Sequence, residues 1–294
     1  MRLRVKHTTT YTYSEPVPWA LQQLRVTAST SRMQSVLRWD VTLEGAAVQL
    51  SFQDNHANRV ELAAVDPGRT DFTITIDGEV ETSDAAGISG VHQGPMPLWA
   101  YLRTTKLTEA GPGIDGLIGG LGALGIDEDP VAELHRVSAA TLDAVRWEEG
   151  HTNSSSTAEE ALGARTGVCQ DHAHIFIATC RRLGIPARYI SGYLLRDDTE
   201  EQAASHAWAE AHVADVGWIG FDVSNGISPD ERYVRLATGL DYRDAAPIAG
   251  IRAGGGDEEL SVGLRISAGA DGEDGPIIDT EPLFLETVQQ QIQQ

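Results

Sequence analysis

The sequence predicts an α+β fold carrying an all-β N-terminal domain, and three observations lead there. Residues 1 to about 90 are rich in β-branched and aromatic residues broken by Pro, Gly and Asp. Beyond a Gly/Pro-rich passage at 87–97, the pattern changes to helical period. From 187 to 223 strand-like segments return, so that a helix with an apolar stripe is followed by an antiparallel sheet on which it can pack.

Taken in order, the predicted strands of the first domain include Thr8-Thr9-Thr10-Tyr11-Thr12-Tyr13, 35–43, Arg59-Val60-Glu61-Leu62 and Asp71-Phe72-Thr73-Ile74-Thr75-Ile76. A boundary near residue 92 gives domains at 1–92 and 93–268, with an acidic, Gln-rich tail at 269–294. The glycine-rich stretch 111–125 reads as a loop or weak helix, and 129–147 as a helix with Pro130 in its first turn. Thr157-Ala158-Glu159-Glu160 is a capping-box pattern that starts a short helix ending near Gly167. The next helix begins at Cys169, has Ala173, Ile177, Cys180 and Leu183 at helical spacing, and is stopped by Gly184 and Pro186. A strand at 187–195, a polar loop at 196–204 and strands at 206–213 and 218–223 follow. After Pro229 the signals weaken, apart from an alternating strand at 259–266 that can close a sheet.

The 294-residue chain has 22 Lys plus Arg against 43 Asp plus Glu, a formal net charge of −21. With no basic run to offset it, that charge argues against nucleic acid and anionic membrane as partners. The N-terminus lacks the apolar core of a signal peptide, and no run of about 18 apolar residues occurs, so a cytoplasmic location is expected. Cys169 and Cys180 fall in one predicted helix, roughly 16 Å apart by its rise, too far for a disulfide. Cys180, among Ile177, Leu183 and Ile185, is explained by burial.

Cys169 is different, because it stands where a turn becomes a helix. There the positive end of the helix dipole favours the thiolate and makes the residue a candidate nucleophile. Downstream, Ser205-His206-Ala207-Trp208 and Gly220-Phe221-Asp222-Val223 supply the histidine and aspartate of a Cys-His-Asp triad. An antiparallel hairpin that sets His206 opposite Asp222 also sets Trp208 opposite Gly220 and Glu210 opposite Trp218, with Val213-Ala214-Asp215 as a three-residue loop. The two then share a face about 4.5 to 5.5 Å apart at Cβ, close enough for the carboxylate to orient the imidazole.

Cys169, His172 and His174 also look like a ligand cluster. On a helix, however, His172 lies about 300° and His174 about 140° around the axis from Cys169, so no metal site is expected. His212 lies ~20 Å along the strand from His206 and is expected to be exposed. Asp171 is read as a first-turn acid favouring the helix dipole.

The stretches Thr166-Gly167-Val168-Cys169-Gln170-Asp171-His172-Ala173-His174 and Leu183-Gly184-Ile185-Pro186-Ala187-Arg188-Tyr189-Ile190-Ser191-Gly192-Tyr193 closely resemble the transglutaminase-like cysteine enzymes. Ser205 to Glu210 and Gly220 to Gly226 continue the likeness. His7-Thr8-Thr9, Tyr11, Tyr13, Leu24-Arg25-Val26 and Trp39 are similar to the N-terminal region of the bacterial members, and Gly239 to Asp244 with Pro247 to the segment after the aspartate. The resemblance implies a papain-like core in which Cys169 attacks an amide carbonyl, His206 moves the proton and Asp222 orients His206. Two departures stand out: Asp54-Asn55-His56-Ala57-Asn58 lacks the usual glycine before the asparagine, and Val223-Ser224 replaces Pro-Thr.

The expected activity is cysteine-dependent acyl transfer on a peptide or protein amide, without a cofactor and with hydrolysis as the outcome. Transglutaminase cross-linking to an amine acceptor is the alternative, and a noncatalytic binding module the second alternative. The backbone N–H of Cys169 is one expected oxyanion donor, with the Trp147 indole a candidate for the other.

Overall fold

The computed structural model describes residues 1–196, 201–202 and 205–269. The expected tail beyond Gly269 and most of the 196–204 loop lie outside those residues. Among the described residues, no helix is long and apolar enough to cross a membrane.

Two sheets form the β-rich part. The first runs in the order Glu201–Gln202, Glu258–Ala268, Arg2–Val17, Arg69–Thr82, Gln34–Glu44, and the second Ile248–Ala253, Trp19–Leu24, Arg59–Val65, Ala46–Gln53. Leu3, Val5, His7 and Thr9 alternate inward along Arg2–Val17, as a half-buried strand requires. Val17, Leu24, Val65, Phe72 and Ile74 build a core shared by both sheets. The 93–268 span expected for the second domain includes Ile248–Ala253 and Glu258–Ala268. Both strands make their ladders with N-terminal partners, Trp19–Leu24 and Arg2–Val17 respectively.

The third sheet holds Tyr233–Gly239, Ala187–Leu194, His206–Val213, Gly217–Phe221 and Ile88–Gly90, all antiparallel. The Cys169–Arg182 helix packs on it through Ala173, Phe176, Ile177 and Cys180. Ala207, Ala209 and Ala211 meet that helix, and their small side chains let it lie close to the sheet. Ile175 and Ala178, on the other side, pack with Ile114, Val145 and Ala161, so the helix is buried all round.

The glycine-rich stretch 111–125 contains a true helix, Pro112–Leu121. Its poor propensity is offset by Glu159, whose carboxylate accepts the N–H groups of Gly111, Gly113 and Ile114 at 2.8, 2.9 and 2.8 Å. The predicted helix at 129–147 stops earlier, as Pro130–Ala144, because Val145 is extended and Arg146–Trp147 bridges in parallel to Thr166–Gly167. Thr157 and Glu160 form the expected capping box on Ala158–Ala164.

The weak signals after Pro229 conceal a whole strand, Tyr233–Gly239. It is buried on both faces, so it shows no alternation. Its outer edge is closed by two side-chain amides from the β-rich part. Gln34 donates to the Arg235 carbonyl at 3.0 Å and accepts its N–H at 2.8 Å, while Asn58 does the same to Thr238 at 2.7 and 2.8 Å. Each amide thus imitates a neighbouring strand and satisfies a buried backbone pair. Asp54 places Asn58 by accepting from its N–H and its side-chain amide, both at 2.9 Å. Ala57 sits there at φ 65°, the left-handed region where the glycine usual at this position would be unstrained.

Candidate active site

Cys169 opens its helix without help from the preceding side chain, since Val168 offers no cap. The orphan N–H of Val168 is instead accepted by Asp171 at 2.8 Å, and Thr152 donates to the same carboxylate oxygen at 2.7 Å. Asp171 is therefore an acid of the helix's first turn, as expected, and is also buried there, and burial raises its carboxyl above the usual range despite those donors. A Cβ on Gly167 would lie 2.8 Å from Asp171, which is why glycine precedes the nucleophile's turn.

The hairpin bearing His206 and Asp222 forms, but its register is displaced by two from the expected one. Glu210 pairs with Gly220 and His212 with Trp218, and the loop is 214–216. Gly217 dictates this. It takes φ 97° and is packed so closely on Ile88–Gly90 that a Cβ would lie 2.1 Å from the Gly90 carbonyl oxygen, so the turn closes there. A shift of two preserves parity, so His206 and Asp222 remain on one face as diagonal neighbours. Asp222 lies beyond the last ladder pair, in a turn closed by its N–H to Ile227 at 2.8 Å. From there its Oδ2 accepts the His206 Nε2–H at 2.6 Å.

His206 Nε2 is thus committed to Asp222, which leaves Nδ1 as the ring nitrogen available to Cys169. Burial works against charge on this imidazole, yet the charges of and hydrogen bonds to Cys169 and Asp222 offset it and hold the group up at about 10. Asp222 is wholly buried. Its burial favours the neutral acid, but hydrogen bonds from His206, Asn225 and Tyr233 keep it below the ordinary carboxylate range. The structure therefore joins His206 to Asp222 directly, with Cys169 near enough to act on the charge of the same imidazole.

The other histidines are used elsewhere. Nε2 of His172 donates to the Val145 carbonyl at 2.8 Å and its Nδ1 accepts from Ser224 at 2.7 Å. The departure at Val223-Ser224 thus keeps a hydroxyl for His172. His174 accepts the Tyr242 N–H at 3.1 Å and is driven down to about 3 by burial. Among the described residues, no group of three His, Cys, Asp or Glu side chains is arranged to hold a metal ion. His212 is half-buried rather than exposed, edge-on to the Trp218 ring at 5.2 Å. His7, in the β-rich part, is buried and bonded to the Tyr193 hydroxyl at 2.8 Å and to Thr9 at 3.0 Å, tying that part to the third sheet.

Sequence reasoning missed Asn225 and Tyr233. Asn225 donates its side-chain N–H to Asp222 Oδ2 at 2.7 Å and Tyr233 its hydroxyl to the same oxygen at 2.7 Å. Asn225 had a signal, its place three residues after the aspartate in a Ser-Asn-Gly turn. Tyr233 had none, being on the strand that was not foreseen. Gly192 pairs with His206 across the sheet, and a Cβ there would lie 2.8 Å from the Trp208 ring, so glycine lets Trp208 stack beside the imidazole at 6.3 Å. Trp147, 47% exposed, stands in register with Gly167 at the rim of the turn that leads into Cys169.

The exposures of the two thiols predict a clean difference in labelling. Iodoacetamide should modify Cys169 at least about a hundredfold faster than Cys180, which is fully buried with its thiol pushed far up by desolvation. Site-resolved mass spectrometry of the folded protein checks this, and equal rates would remove Cys169 as the nucleophile.

Residues 123–223 match the model of the transglutaminase-like superfamily, and residues 3–81 that of the bacterial transglutaminase-like N-terminal region. An uncharacterized protein of Mycobacterium leprae is 28% identical over 90% of this chain and 98% of its own length. An uncharacterized protein of Mycobacterium tuberculosis is 30% identical over 85% of this chain and 87% of its own. In fold, the chain is similar to a provisionally assigned cysteine protease from Cytophaga hutchinsonii, at a TM-score of 0.73 and 22% identity, covering 97% of this chain and 94% of the other. With its α+β core, its β-rich N-terminal region and this relatedness along most of its length, the chain belongs to the transglutaminase-like superfamily, in the bacterial form that carries its own N-terminal region.

Proposed function

We propose that the protein is a cysteine-dependent acyl-transfer enzyme acting on a peptide or protein amide, with water as its principal acceptor. The observation that supports this reading is the His206 imidazole bonded to the buried Asp222, with Cys169 acting on the charge of the same ring. The Cys169 sulfur attacks the amide carbonyl carbon, and the negative charge that develops on oxygen is met by the Cys169 backbone N–H and the Trp147 indole N–H. His206, charged while paired with the thiolate, gives its proton to the leaving amine as the C–N bond breaks. The resulting thioester is attacked by water, whose proton returns to His206, and the C–S bond breaks to release the acid. Asp222 stays ionised throughout and holds the imidazole orientation.

The preference for water follows from what an amine transferase needs, namely a place that holds the amine and excludes water. Product partitioning tests it. With an amide substrate identified from a peptide library and rising concentrations of a lysine-like amine, free acid should remain the main product. Adduct dominating at about 1 to 5 mM amine, with free acid suppressed, would make the enzyme a cross-linking transglutaminase.

A further inference from the structure

We propose that Tyr233 is a positioning residue for the His206–Asp222 pair: by sharing Asp222 Oδ2 with His206, its hydroxyl sets how strongly the carboxylate holds the imidazolium. The inference rests on the cysteine-enzyme reading above and adds to it a fourth side chain with a defined task. Three donors converge on that one oxygen: His206 Nε2 at 2.6 Å, Asn225 Nδ2 at 2.7 Å and Tyr233 Oη at 2.7 Å. Among the described residues, the other oxygen takes only the Asn225 backbone N–H, at 3.2 Å. An ionised carboxylate divided among three donors at one oxygen is a weaker partner for any single one of them. Each donor also favours the charged form of a carboxylate that burial would otherwise neutralise.

Tyr233 is fixed for this work. Its ring lies edge-on to Trp208 at 5.4 Å and tilted against His206 at 6.0 Å. The strand it opens is clasped at Arg235 and Thr238 by Gln34 and Asn58, so the β-rich part holds the strand from which the hydroxyl is presented. The other titratable and charged groups around the pair are Cys169 and His172 from the helix and Asp230 and Arg232 from the turn before Tyr233. None of these four appears among the direct donors to Asp222, so the hydroxyl can be varied without moving them.

The signs follow from the bonding. Removing the hydroxyl leaves the carboxylate less stabilised by donors, so Asp222 protonates at higher pH. While ionised, it gives more of its charge to His206, which keeps its proton to higher pH and screens Cys169 more from the imidazolium. Both steps in the pH dependence of Cys169 reactivity should therefore move toward alkaline pH. A stronger donor should move both the other way.

The test is the rate of Cys169 alkylation by iodoacetamide from about pH 4 to about pH 10.5, followed by mass spectrometry in three proteins. These are the wild type, Tyr233→Phe, and the protein with 3-fluorotyrosine at position 233, whose more acidic hydroxyl donates more strongly and which keeps the hydroxyl should the Phe variant fold poorly. The expected result is an upward shift of about one pH unit in Tyr233→Phe and a smaller downward shift with fluorotyrosine. A purely packing role changes thermal stability but gives no shifts of opposite sign. Profiles that superimpose on the wild type, or shifts in the same direction in both variants, would overturn the proposal. If wild-type Cys169 itself titrates as a single isolated thiol, the Cys-His reading fails and this proposal falls with it, an outcome separable from the first by the wild-type curve alone.

Discussion

Cys169→Ala and His206→Ala should each reduce kcat on a peptide-amide substrate by about 10⁴- to 10⁶-fold, to the level set by binding and oxyanion stabilisation alone. The first removes the only atom that bonds to the acyl carbon. The second removes the imidazole that is bonded to the buried carboxylate and whose charge is coupled to the thiol. Asp222→Ala should retain about ten- to a hundredfold more activity than either, because it deletes orientation rather than the reacting atom or the proton carrier. Folding should survive Cys169→Ala, which removes one sulfur from a partly exposed position at the start of the helix. Steady-state kinetics with circular dichroism as the folding check measures all three. A folded His206→Ala protein with near wild-type kcat would require another base and dissolve the triad.

What the sequence made legible was whatever depends on local spacing. The start of the Cys169–Arg182 helix, its end before Gly184 and the strand His206–Val213 are written in glycine, proline and periodicity. The common face of His206 and Asp222 was legible too, because it depends only on parity. The exact pairing was not, because the turn is set by Gly217 packing on Gly90, a contact 127 residues away in the chain. Non-local closure hid the rest. Tyr233–Gly239 reads poorly as a strand because burial on both faces removes the alternation, and its outer edge is satisfied by the side chains of Gln34 and Asn58 rather than by a further strand. Pro112–Leu121 reads poorly as a helix because its cap is the side chain of Glu159. The same dependence hid Tyr233 as a partner of Asp222, whereas Asn225, local to the aspartate, was within reach of turn chemistry.

Glu210→Gln should cost about 3 to 5 kcal/mol of stability, the largest structural effect expected of any single substitution near the site. Glu210 is on the strand that begins with His206, four residues on, and is almost completely buried. One carboxylate oxygen accepts from Arg188 at 2.6 Å, and the other from Arg235 at 2.7 Å and Ser89 at 2.5 Å. The Arg188 guanidinium lies 3.9 Å over the Trp218 ring, so this one acid joins three strands of the third sheet and the short Ile88–Gly90 strand at its edge. Burial pushes its carboxyl up, but the two guanidinium groups more than offset that and hold it at about 2. A carboxylate depressed in the folded state contributes stability above its unfolded value, the ordinary 4.5, and loses it as pH falls through about 2. The amide removes the charge and leaves two buried cations facing one another, so the variant should lose about 10 °C in Tm at pH 7. The gap between the two proteins should narrow progressively below about pH 4.5, as the wild-type carboxylate takes up its proton. Thermal denaturation at pH 7 and through the acid range gives both numbers. A variant with unchanged Tm at pH 7 would mean that Arg188 and Arg235 reach solvent or other acceptors, and that the strand behind His206 is held by its alanine face alone.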